Sequence, residues 1–66
     1  MSKSVTFERA QLLLSLCCPR KALPANWSVA KMAIIDECKT RGWKISAKCL
    51  HHMETSFRKR EAEAIR

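Results

Sequence analysis

The sequence predicts an all-α fold, a small bundle of three helices. Three observations predict it. Gly42 is the only glycine, and Pro19 and Pro24 are the only prolines. Strands joined by tight turns need Gly, Asn and Asp at the turns, and this chain has little of that chemistry. The apolar segments recur instead at helical spacing.

Helix 1 is predicted over about residues 6–17. Ser4 or Thr6 is placed to cap it, and Glu8 suits the positive end of its first turn. Pro19 stops it, because the residue before a proline avoids helical backbone. Phe7, Ala10, Leu12, Leu13, Leu14 and Leu16 cover more than one face of this helix. Either helix 1 lies centrally, or its second face meets another molecule. Small domains often complete their cores by oligomerising. Leu12, Leu13 and Leu16 are therefore the candidate dimer or partner interface.

Residues 18–28 read as a linker stiffened by two prolines and carrying Arg20 and Lys21. Helix 2 is predicted over 29–41, with Ser28 as its N-cap. Trp27 and Met32 occupy the two positions of a hydrophobic staple around that cap. Met32, Ile34, Ile35 and Cys38 are the expected apolar contacts, with the stems of Lys31 and Lys39 lying along them. Gly42 follows, where a left-handed residue closes a helix, and Lys39 and Arg41 suit the negative end. Helix 3 is predicted over 47–64, capped by Ser46. At 100° per residue, Leu50, Met53, Phe57 and Ala64 fall within about 60° of one another as a core stripe. Lys48, His52, Thr55 and Lys59 fall on the opposite side, and the segment from Glu61 is expected to fray.

Size and charge bound the function. A chain of 66 residues has room for one domain with a marginal core. With 47% hydrophobic residues it has enough apolar surface to fold. Thirteen Lys+Arg against six Asp+Glu give a net charge of +7, which points to a polyanionic partner. Lys39, Arg41, Lys44, Lys48, Arg58, Lys59 and Arg60 concentrate that charge in one third of the chain, opposed there only by Glu54.

The segment Ile34 to Met53 reads helix, short turn, helix. Gly42 permits the change of direction, Ile45 plugs the angle between the helices, and Ser46 caps the next helix. Gly42, Ile45, Ser46, Cys49 and Leu50 stand at a spacing that resembles the helix-turn-helix domains of small bacterial and phage regulators and of transposase-type modules. The resemblance covers about a third of the chain. Cys49 stands where threonine is commoner, and Cys38 stands where those domains place a small alanine contact. The resemblance implies a recognition helix that enters the major groove of duplex DNA. Lys48 would then meet guanine acceptors, and His51, His52 and Thr55 would reach bases or phosphates. Arg41, Lys44, Arg58, Lys59 and Arg60 would bind phosphate.

The alternative is a small inhibitor or adaptor that docks on a larger protein through helix 1 and Trp43. Trp43 reads first as a cap on the core, and otherwise as a stacking or anchoring residue. RNA binding ranks lower, because the chain lacks a set of surface aromatics. No enzyme motif appears: there is no glycine-rich phosphate loop, and no residue orients a base for a Cys–His pair. No cofactor is expected. Cys49 and His52 are three apart, but the paired ligand spacing of zinc sites is absent, so no metal is expected.

Cys17, Cys18, Cys38 and Cys49 form an even count, as a disulfide framework would. The adjacency of the first pair, and the apolar helical setting of the other two, favour reduced thiols. Lys3 and Arg9 precede a leucine-rich run, as in a signal peptide. Glu8 and Gln11 interrupt the pattern, and no small-x-small cleavage site follows. No run approaches the roughly 20 apolar residues of a membrane span. The expected location is the cytoplasm, with no membrane partner.

Overall fold

The computed structural model describes residues 3–64. The order is β1 (Lys3–Ser4), α1 (Phe7–Cys17), α2 (Trp27–Arg41), β2 (Trp43–Lys44) and α3 (Ala47–Ala64). The three expected helices are present, with one addition. β1 and β2 pair in parallel, with Lys3 opposite Trp43 and Ser4 opposite Lys44. The Lys3 amide donates to the Gly42 carbonyl at 3.3 Å, and the Val5 amide donates to the Lys44 carbonyl at 2.9 Å. The turn between α2 and α3 is thus held by the start of the chain. Two-residue strands carry no periodic signal, and these two lie about forty residues apart, so the helical pattern did not announce them.

The core is made from one face of each helix. Ala10, Leu13, Leu14 and Cys18 come from α1 and its C-cap, Ala30, Ile34 and Cys38 from α2, and Met53 and Phe57 from α3. Leu23 from the linker packs against them, as do Trp27, Trp43, Ile45, Cys49 and Leu50. The outer member of the predicted α3 stripe, Ala64, is exposed. The segment from Glu61, expected to fray, stays helical to Ala64; Ile65 and Arg66 lie outside the described residues.

Helix ends follow the local chemistry, with one correction. Thr6 caps α1, its hydroxyl accepting the Arg9 amide at 3.3 Å. Ser46 caps α3, its hydroxyl accepting the Cys49 amide at 3.1 Å. Gly42 closes α2 at φ 70°, ψ 30°, the left-handed region that glycine enters freely. At the other end of α2 the cap is Asn26, not Ser28: its side-chain oxygen accepts the Val29 amide at 3.0 Å. Both residue types make good caps, and packing decides between them. Starting the helix at Trp27 sets Trp27, Ala30, Ile34 and Cys38 on one face at steps of three and four. The Trp27 ring then meets Phe57, with centroids 5.8 Å apart. The staple expected between Trp27 and Met32 is absent, because Met32 points away from the core and is 71% exposed. Ile35 is only half-buried.

Among the described residues, no helix is long and apolar enough to cross a membrane.

Candidate nucleic-acid interface

Three constraints aim the outer face of α3. Ser46 fixes where the helix starts, Met53 and Phe57 fix which face is buried, and the β1–β2 pair fixes the approach to the first turn. Lys48, His51, His52, Thr55, Arg58 and Lys59 are all exposed on that face, and Lys44 is exposed on the turn before it. Six of the residues expected from sequence to bind DNA therefore share the exposed face of α3, while Arg41 lies on α2 and Arg60 is half-buried.

They differ in what already holds them. Arg58 grips the Glu54 carboxylate through Nη2 at 2.7 Å and Nε at 3.2 Å. Arg41 lies 3.6 Å from the Glu37 carboxylate, and its guanidinium carbon sits 5.2 Å from the Trp43 ring centre. Both ion pairs join residues four apart with the acid first, the favourable order on a helix. That spacing was readable in the sequence and marks these arginines as internally matched. Arg60 leaves the phosphate-binding set altogether. It is half-buried, and Nη1 donates to the Leu14 carbonyl at 3.2 Å and the Cys18 carbonyl at 2.7 Å. α1 has no basic residue in its own last turn, so Arg60 supplies the cation that its carbonyl end favours. Among the described residues, Lys44, Lys48 and Lys59 have no carboxylate within 4.0 Å. Within the set expected to bind DNA, these three carry the charge that no side chain already matches.

The Thr55 hydroxyl donates to its own helix, at the His51 carbonyl 3.2 Å away. In that rotamer it offers a partner only acceptor capacity. That suits the amino group of adenine or cytosine and does not suit a phosphate.

Trp43 is half-buried over the core. Arg9 stands 5.1 Å from its ring centre on one contact and Arg41 on another. Arg9 is itself held by a 2.9 Å hydrogen bond from Nη1 to the Ser4 carbonyl. Sequence reasoning missed Arg9 here, since only the β1–β2 pairing brings it to the turn. With two guanidiniums against its ring, Trp43 caps the core and is poorly placed as a free stacking platform.

The candidate partner face on α1 also changes. Leu13 is 0% exposed and belongs wholly to the chain's own core, because positions 13 and 14 flank Ala10 on the buried side of the helix. Leu12 and Leu16 remain exposed at 42% and 49%. They are four apart and share a face.

The cysteines are free thiols, Cys18 and Cys38 buried, Cys17 and Cys49 half-buried. Burial raises the pKa of all four above the ordinary value of 9.0. The neighbouring Arg60 opposes that rise at Cys18. None is activated as a nucleophile, which needs a lowered value. Among the described residues, no group of three or more His, Cys, Asp or Glu side chains is placed to hold a metal ion.

No protein-family model, no curated protein and no solved structure matches this chain.

Proposed function

We infer that the protein is a small DNA-binding regulator of transcription, with α3 as its recognition helix. One observation carries the reading. Lys48 and Lys59, with His51 and His52, stand on the exposed face of a capped helix, and the basic side chains there that lack a carboxylate partner lie on one side of it. Lys44 extends that side onto the turn. A helix packed on its partners by one face and basic on the other fits the major groove, where side chains near its N-terminus meet base edges. Lys48 is the base-reading candidate; Lys44 and Lys59 contact phosphate, and Arg41 and Arg58 do so only by giving up a glutamate. DNA as the partner implies that the protein acts in the cytoplasm, at the nucleoid.

Fluorescence anisotropy with a labelled mixed-sequence duplex tests this. Two lysine–phosphate contacts, from Lys44 and Lys59, predict that log K falls against log salt with a slope of about −1.8, at roughly −0.9 per contact. Absence of binding at low salt, or binding indifferent to salt, contradicts it.

The second reading, a protein-binding adaptor, rests on the exposed pair Leu12 and Leu16 and no longer on Trp43. The same pair is what supports a homodimer. A dimer would read two half-sites about one helical turn of DNA apart.

A further inference from the structure

A cleft of about 560 Å³ runs between α1 and α3. That is within the size range of small-molecule sites, roughly 300–1,000 Å³. Its chemistry divides by position. Val5, Ala10, Leu14 and Met53 give it an apolar floor, and Phe7, 78% exposed, stands at its edge. On the α3 side it is bordered by Lys48 and His52. No aspartate or glutamate lines it. The Ser46 hydroxyl, also on the lining, accepts the Cys49 amide, so its own hydrogen stays available to an incoming oxygen.

The cleft continues past Gln11, Leu14 and Ser56 into a narrower notch of about 190 Å³. Three cations line that notch: Arg20 lies 3.8 Å from Glu63, Arg60 holds the end of α1, and Lys59, unpaired among the described residues, shares the notch with the Glu63 carboxylate. Lys48 is unpaired too, and it borders the wide apolar part of the cleft, which no carboxylate lines. A ligand with an apolar body and one negative group is therefore matched in that wide part, with its body on Ala10, Leu14 and Met53 and its charge at Lys48.

We propose that the α1–α3 cleft is a binding site for a small amphipathic carboxylic acid. The carboxylate pairs with Lys48 and accepts from Ser46, while the apolar body covers the floor beside Phe7. Lys48, His52 and Thr55 border both this cleft and the outer face of α3. A bound acid thus competes with a duplex for the same lysine. That consequence rests on the DNA-binding reading, whereas the site itself does not.

The test uses the whole chain and 1-naphthaleneacetate, followed by amide chemical shifts, with neutral 1-naphthaleneacetamide alongside. The acid is expected to saturate at one per chain, to shift Ala10, Leu14 and Met53, and to bind about tenfold tighter than the amide. In Lys48→Met the acid should lose that preference while the amide binds as before, which also shows that the variant is folded. Failure to saturate, shifts away from α1 and α3, or an acid preference that survives in Lys48→Met overturns the proposal. Polyglutamate at equal carboxylate concentration should leave the cleft resonances unmoved. If it reproduces the shifts, the cleft is a macromolecular surface and the proposal falls. None of these arms contains DNA, so failure of this site and failure of duplex binding are separate results.

Discussion

Leu12 and Leu13 are neighbours in sequence and opposite in setting. Leu13 is sealed in the core, and Leu12 is nearly half exposed. Replacing Leu13 by alanine removes buried methyl groups from a core of few side chains, at a cost of about 2–5 kcal/mol. In a domain this small that is a large part of total stability. Leu12→Ala should change stability by about 0.5 kcal/mol or less in the monomer. Chemical denaturation of the two variants checks the contrast, and equal effects would contradict the assigned faces. The same scale explains what was and was not legible at the candidate site. The basic character of α3 is plain from composition. Which cations are free is a matter of neighbours: Arg58 meets Glu54 one turn away, whereas Arg60 meets carbonyls some forty residues away in the chain. Only the first of these has a signature in local spacing.

Elements were legible where a cap and an apolar face agree. For α3, Ser46 as cap and the step from Met53 to Phe57 agree on one helix, and its predicted bounds match. For α2, Asn26 and Ser28 are both competent caps, and the choice falls to the position of Trp27 against Phe57, a contact between distant segments. The β1–β2 pair was illegible for the same reason: its stability lies in a long-range pairing that holds the turn. Arg60 is the other long-range tie, and it separates two adjacent residues by role. Arg60→Ala removes two charge-assisted bonds from the end of α1 and should lower stability by about 1.5–3 kcal/mol. Lys59→Ala, one position earlier and solvent-facing, should leave the melting temperature nearly unchanged and weaken duplex binding. Thermal melts and anisotropy on the same two proteins test both halves.

At the scale of the whole molecule, the dimensions of 43 × 19 × 18 Å describe an elongated bundle with a slender core. All three helices contribute thiols to that core or its margin, and this has a consequence for pH. Burial raises the cysteine pKa values above 9.0 in the folded chain, while unfolding restores the ordinary value. Between the two values the unfolded chain has lost protons that the folded chain keeps. Stability is therefore full about a pH unit below 9, and it falls as pH rises through 9 and beyond. Denaturation midpoints at pH 7, 8 and 10 should be nearly level between the first two and lower at the third. A Cys18→Ser, Cys38→Ser variant, starting less stable, should show a shallower fall.

The proposed function depends on charge that is free and not merely present. Salt titration of duplex binding in Lys59→Ala and Arg58→Ala tests that most directly. Lys59→Ala should flatten the slope of log K against log salt by about 0.9, the loss of one phosphate-neutralising cation. Arg58→Ala, which removes a cation already matched by Glu54, should change the slope by clearly less. Equal flattening in both variants, or none in Lys59→Ala, would contradict the account.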